Sequence, residues 1–299
     1  MVDTAHRPDS PPRDGQAART SVAAGRGTRT APNVLGGLAG LLWLVIVVVP
    51  VYWLVVTSLK DQAGFLGGNP LLPGEGLTLD NYRDVLAAGF VRYLANSVVV
   101  AFGTVAIVVL TSLMAAHTIV RSPSRFVRTA FKIFLLGLAI PAQATIIPVY
   151  FVITRLHLYD TLLALVLPSA AFGIPLTVLI LTGFLRDVPT ELFDSMRIDG
   201  ATEWQVLWRL AAPLSRPALI TVTIYNALQV WNGFLFPLIL TQSAEARVLP
   251  LALWSFQGEF TINVPAVLAA VVLSTIPLLV LYVVGRRQLI SGLTAGFSR

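Results

Sequence analysis

Six stretches of this 299-residue chain contain no Asp, Glu, Lys or Arg, and each is long enough to hold a helix that crosses a lipid bilayer. They run between Arg29 and Lys60, Arg92 and Arg121, Lys132 and Arg155, Asp160 and Arg186, Arg216 and Glu245, and Glu259 and Arg286. About 20 apolar residues cross the hydrocarbon core as a helix, and every backbone N–H and C=O there must be bonded within the protein. Composition agrees: 12% of residues are charged, against roughly 25% in a soluble domain. The expectation is an all-α integral membrane protein with six transmembrane helices, near 34–58, 94–116, 133–154, 162–185, 218–240 and 264–284.

The bases set an orientation. With a cytoplasmic N-terminus, sixteen Lys and Arg fall on the inner side, counting the N-terminal arginines, 121–132, 186–216 and 286–299. Five fall outside: Lys60, Arg83, Arg92, Arg155 and Arg247. The positive-inside rule then puts both termini and the 187–217 loop in the cytoplasm, in a multi-pass protein of the cell membrane. Topology accounts for the net charge of +6, so no nucleic-acid partner is needed. Residues 1–33, rich in Arg, Pro, Gly, Ala, Ser and Thr without periodicity, read as a disordered basic tail, and 34–299 as the membrane domain. The first apolar run exceeds the 7–15-residue core of a signal peptide and is expected to be retained.

Several chemistries are missing. The chain has no cysteine, and His6, His117 and His157 are far apart, so no metal site or cofactor is expected and no catalytic residue stands out. Lys60 and Lys132 follow Leu and Phe, so the Gly-Lys-Ser/Thr of a phosphate-binding loop is absent. The spans carry no ionisable group of the kind that couples an ion gradient, which costs ~3 kcal/mol or more at membrane depth. A lipid-processing enzyme would need acids, His or Cys there. A secondary transporter would need an ion site of neutral groups on unwound helices.

The most clearly helix-patterned polar element is 187–217, D-V-P-T-E-L-F-D-S-M-R-I-D-G-A-T-E-W-Q-V-L-W-R-L-A-A-P-L-S-R-P. Pro189 suits a first turn, Glu191 and Asp194 lie near the positive dipole end, and Leu192 and Met196 share a face. Gly200 ends this helix. Thr202-Glu203-Trp204-Gln205 is a capping box opening a second, expected to end before Pro213 and to bury a stripe of Trp204, Leu207, Trp208 and Ala211. The plain alternative is a surface helix lying on its own bundle or in the headgroups.

The same spacing resembles the cytoplasmic loop of the membrane subunits of binding-protein-dependent ABC importers: E-A-A, three residues, G, nine residues, I, one residue, L-P. Gly200 and Pro213 fall on it, with Leu210 for Ile, Asp194 for Glu, Ser195 and Met196 for the alanines, and Ala212 for Leu. L-T-L-D-N-Y-R-D-V-L (77–86), Y-L-A-N-S (93–97), I-P-A-Q-A-T-I-I-P-V-Y (140–150), W-N-G-F-L-F-P-L (231–238) and S-G-L-T-A-G (291–296) are similar to the carbohydrate branch, in particular the maltose-type second membrane subunit. The resemblance covers 34–299. It implies a type I importer permease for sugars or polyols, partnered by two ATPase subunits, a second permease subunit and an extracellular or periplasmic solute-binding protein. It further implies that Leu192 and Met196 fill a groove on the ATPase, that Asp194 and Arg197 face its rim, and that Gly200 permits the close turn. A permease for a non-sugar solute fits the loop pattern too.

For the translocation pathway, the fifth span offers Tyr225, Asn226, Gln229, Trp231 and Asn232, and the third offers Gln143 beside Pro141 and Pro148. Amides and aromatic faces suit a sugar; amides also hold helices together, and Trp231 also suits packing. Pro168, Gly173 and Pro175 mark expected kinks in the fourth span.

Overall fold

The computed structural model describes residues 34–69, 71–74, 76–255 and 263–295, with side chains to 253 and again over 263–283. The basic tail expected over 1–33 and Gly296 of the terminal S-G-L-T-A-G lie outside the described residues. The chain divides into two compact units, Met1–Val48 and Val49–Arg299. In the first, residues 34–48 are the exposed, uninterrupted start of helix α1 (Val34–Ser58).

The second unit completes α1 and adds α2 (Gln62–Gly67), α3 (Asp80–Ala87), α4 (Phe90–Arg121) and α5 (Arg125–Gly137). A 3-10 turn (Ala142–Thr145) leads into α6 (Ile146–Arg155), followed by α7 (Leu162–Arg186), α8 (Thr190–Ile198) and α9 (Glu203–Val206). A π turn (Leu207–Ala211) joins α9 to α10 (Ala212–Leu214); α11 (Arg216–Trp231), α12 (Leu235–Leu240), α13 (Leu249–Ser255) and α14 (Val264–Ala295) complete the chain.

Four helices, α1, α4, α7 and α14, are each long and apolar enough to cross a membrane. The expected third span is not one helix. α5 and the 142–155 segment meet at 98°, a fifth crossing only if the bent pair counts as one. The cause is Ile140-Pro141: Pro141 is extended (φ −70°, ψ 133°) and lacks the N–H that would continue the ladder. The expected fifth span is broken as well. α11 has 16 residues, about 24 Å, and stops at Asn232; the chain resumes as α12 at Leu235, with Pro237 in its first turn. Pro168 and Pro175, by contrast, lie inside α7 without dividing it. Among the described residues, therefore, six unbroken spans are not found.

Where α4, α7 and α11 cross, Gly173 permits the contact. A Cβ there would lie 2.5 Å from Asn226 Oδ1 and 3.0 Å from a Val108 methyl. Asn226 is buried and donates from Nδ2 to Thr177 Oγ1 (3.0 Å) on α7 and to Val222 O (2.7 Å) in its own helix. The end of the bundle at the α4 N-terminus is tied by side chains bonded to backbone. Asn96 donates to Glu245 O and Arg247 O at 2.7 and 2.8 Å, and Ser97 Oγ accepts from Leu249 N–H. Asp160, in the left-handed region (φ 60°), accepts from the N–H groups of Gln242 (2.8 Å) and Ser243 (3.0 Å). Burial pushes the Asp160 carboxyl up, and the hydrogen bonds from Gln242 and Ser243 outweigh it, so the group sits below its ordinary value.

Two outcomes follow from this packing. Gly173→Ala should lower stability in detergent, and the loss should shrink when Asn226→Ala is added, since the clashing oxygen is then gone; strictly additive melting shifts would refute the contact. Asp160 has a depressed folded value, so its contribution is full above about pH 4 and lost as pH falls through the folded value. Asp160→Ala should cost about 1–3 kcal/mol at neutral pH and flatten the acid limb of the stability profile, measured by thermal unfolding.

Candidate functional site

Two regions bring the predicted residues together, one at each end of a common set of helices. At the C-terminal end of α4, the α8 loop is clamped onto the bundle. Phe193, 1% exposed, sits among Leu113, Leu181, Leu185, Val206 and Leu207, and the Arg121 guanidinium lies 4.6 Å from its ring centroid. His117, one turn before Arg121 on α4, has its ring 6.2 Å from the same phenyl. Around this plug, bases and acids alternate. Arg121 donates to Asp194 (2.9 Å), Arg197 approaches Asp194 (4.0 Å) and donates from Nε to Glu203 (2.8 Å), and Glu203 meets His117 Nε2 (3.3 Å). Burial raises the Glu203 carboxyl, but the bonds from Arg197 and His117 prevail and hold it below the ordinary carboxylate value. Exposed ion pairs of this kind stabilise by about 0–1 kcal/mol each, so the buried ring contributes more to the joint than the charges that orient it.

The chain reverses after α8 through a Schellman motif. Ala201 N–H bonds to Met196 O (2.9 Å) and Gly200 N–H to Arg197 O (3.0 Å), with Gly200 at φ +80°. A Cβ on Gly200 would meet no atom within 4 Å, so backbone conformation, not crowding within this chain, requires glycine. The capping box is formed: Thr202 Oγ1 accepts from Gln205 N–H and Gln205 Oε1 accepts from Thr202 N–H. The helix it opens does not end before Pro213. The π turn bonds Ala212 N–H to Leu207 O, and this wider turn carries the chain through Pro213 to Leu214. The same turn divides the expected apolar stripe: Leu207 and Ala211 are buried with Val206, while Trp204 and Trp208 stay partly exposed, edge to face with centroids 5.5 Å apart.

Of the six loop residues singled out from sequence, Asp194 and Arg197 form the charged ring and Gly200 the reversal. Met196 is half-buried against the bundle's own core, whereas Leu192 is exposed. Ile198, which sequence reasoning passed over, is 87% exposed at the end of the same helix. Phe193 and its partners Arg121 and His117 were missed too. The available signal was that Arg121 and His117 lie four apart at the end of a span, facing a loop with acids at matching spacing.

Above the clamp, a cavity of about 370 Å³ opens between α4, the α5–α6 corner, α7, α11 and α12. Tyr225 and Gln229 line it, along with Ser169, Phe172, Phe234 and Phe236. Asn226 also reaches it, already engaged with Thr177. The other three pathway candidates are placed elsewhere. Trp231 packs beside the cluster of Val85, Phe90 and Tyr93, and Asn232 donates back to Leu228 O (2.8 Å) at the α11 C-terminus. Gln143 is in the 3-10 turn, where its neighbour Ala142 lines the cavity instead. The walls are largely apolar and aromatic with a few hydroxyl and amide groups.

Residues 81–291 match the family model described as binding-protein-dependent transport system inner membrane component. A Caldicellulosiruptor chain described as an ABC transporter permease protein is 37% identical over 255 residues, 85% of this chain and 93% of that one. The trehalose/maltose transport system permease protein MalG of Thermococcus litoralis is 33% identical over 265 residues, covering 87% and 94%. The fold is similar to that of a chain from a bacterial ABC transporter involved in alginate import, with a TM-score of 0.75 at 19% identity over 85% of this chain and 95% of that one. With a helical bundle of this topology, a loop clamped onto it at α8 and these matches, the chain belongs to the family of inner membrane components of binding-protein-dependent transport systems.

Proposed function

We propose that this chain is one of two membrane subunits of an ATP-driven importer of saccharides, with no nucleotide site of its own. In this reading α8 and both termini face the cytoplasm, and α8 seats in an ATPase subunit. The observation that carries the reading is the division of labour on α8: Phe193 and Asp194 fasten it to α4, while Leu192 and Ile198 stay exposed. A helix held on one side and exposing Leu192 and Ile198 on the other transmits a push from whatever fills its free side. The sixteen-to-five bias of bases favours the same orientation, and the missing Gly-Lys-Ser/Thr requires the energy source to be a separate chain. A solute-binding protein is the partner expected on the opposite side, as the family description indicates.

Saccharide is favoured over other solutes by the cavity. Tyr225, Phe172, Phe234 and Phe236 offer faces to sugar rings, and Gln229 and Ser169 offer hydrogen bonds to hydroxyls, in a site with no side-chain charge among its lining residues. The Thermococcus relative is named for trehalose/maltose transport, others are named for diacetylchitobiose uptake and sulfoquinovosyl glycerol transport, and the structural neighbour belongs to a transporter involved in alginate import.

Ile198→Asp should abolish co-purification of the ATPase subunit while the chain still inserts, and Gly200→Leu should weaken it by straining a left-handed turn by about 1–2 kcal/mol. Wild-type association in both variants would reject the seat on α8. Single cysteines at Asp199 and Asp80 of this cysteine-free chain should differ in intact cells: an impermeant thiol reagent should label position 80 and spare 199. Gln229→Ala should lower sugar uptake about fivefold, the worth of roughly 1 kcal/mol, at unchanged melting temperature. Uptake equal to wild type would remove Gln229 from the pathway.

A further inference from the structure

We propose that α5 is a binding site for anionic phospholipid on the α8 side of the membrane. α5 is the bundle's amphipathic helix, and none of its residues is fully buried. One flank, Val127, Ala130, Phe131 and Phe134, is half-buried; Phe131 carries the Arg186 guanidinium of α7 at 5.5 Å from its centroid. A Cβ on Gly137 would touch Pro175 at 3.0 Å, so the helix lies close along α7.

The remaining surface is divided lengthwise. Arg125, Arg128 and Lys132 recur at three and four residues and form one stripe, which Leu136 continues at the far end, while Phe126 (80% exposed) and Ile133 form the other. Among the described residues the ion pairs are made by other side chains, and none of the three cations takes part in one. Arg186 adds a fourth cation at the edge of the stripe.

A helix that spans a bilayer has no use for three cations along its length, and one wholly in water has none for an exposed Phe, Ile and Leu. Both stripes are satisfied at once where acyl chains meet headgroups. α5 runs along α7 from Arg186, over Phe131, toward Pro175, against Gly137, so Arg125, Arg128 and Lys132 lie at its headgroup end while Leu136 lies deeper, toward the acyl chains. The leaflet is fixed by the chain itself: α5 begins four residues after Arg121, whose side chain holds Asp194 of α8. Four clustered cations at that level attract anionic headgroups. The occupant is thus a phospholipid with a negative head and its chains against Phe126 and Ile133.

The full chain, purified in neutral detergent and placed in discs of mixed phosphatidylglycerol and phosphatidylcholine, tests this without any transport measurement. Native mass spectrometry of the released protein should show phosphatidylglycerol enriched among retained lipids. Lys132→Gln should reduce that enrichment about fivefold, and the triple variant Arg125→Gln, Arg128→Gln, Lys132→Gln should abolish it, with an unchanged melting temperature. Arg209→Gln with Arg216→Gln, at the same end but off α5, should retain it. Enrichment that survives Lys132→Gln and the triple change, or falls equally in the off-helix control, overturns the site. A photoreactive residue at position 126 should label lipid in the assembled complex; labelling of a second membrane subunit there also overturns it. Loss of this binding with normal uptake leaves the proposed transport function standing, and the reverse result leaves the lipid site standing.

Discussion

In the proposed importer α8 lies outside the bilayer and can act on the spans only through a joint stiffer than solvent, and that joint is a single phenyl ring. Phe193 enters the bundle between α4 and α7 with the Arg121 guanidinium on its face, and the neighbouring carboxylates and bases fix the direction in which α8 leaves. Charge alone would make a weak hinge, because exposed pairs exchange readily with water. A buried ring with oriented polar partners around it resists rotation as well as withdrawal. The Schellman reversal at Gly200 and the capping box at Thr202 then bring the chain back along the same side, so Val206 and Leu207 pack into the cluster that holds Phe193.

The two broken spans have a common consequence. The backbone is interrupted near Pro141 in one and from Asn232 to Phe234 in the other, and residues flanking both breaks line the same cavity: Leu138 and Ala142 at the first, Gly233 and Phe234 at the second. Irregular backbone at membrane depth needs partners other than lipid, and here it borders a cavity inside the protein with a few hydroxyl and amide groups in its walls. The breaks therefore belong with the cavity, and in the proposed importer they are features of the pathway and not lapses in helix formation.

Much of this was legible in the sequence. Charge-free intervals located α1, α4, α7 and α14, because solvation of charge is the strongest constraint a bilayer imposes. The Gly200 reversal and the capping box were readable too, since both depend on residues within a few positions of each other. The failures share a cause in distance along the chain. Phe193 resembles any apolar helix residue until Arg121, some seventy positions earlier, is seen beside it. Asn232 looked like a cavity amide and instead caps its own helix, while Gln229, three residues earlier, faces the cavity. Pro213 suggested a helix end, and a wider turn that spacing does not reveal carries the chain through it.

α4 links the two halves of the proposed mechanism. Its 32 residues extend about 48 Å, well beyond the ~30 Å hydrocarbon core, from Phe90 and Tyr93 in one cluster to Arg121 at the clamp. Midway, Val108 meets Gly173 of α7, and Gly173 in turn meets Asn226 of α11, which lines the cavity. In the proposed importer a push on α8 enters α4 and α7 at Phe193 and reaches the cavity wall through a contact that leaves no room for a methyl group. Close packing at that crossing means the three helices cannot slide independently, so a displacement of the clamp shifts the cavity walls together.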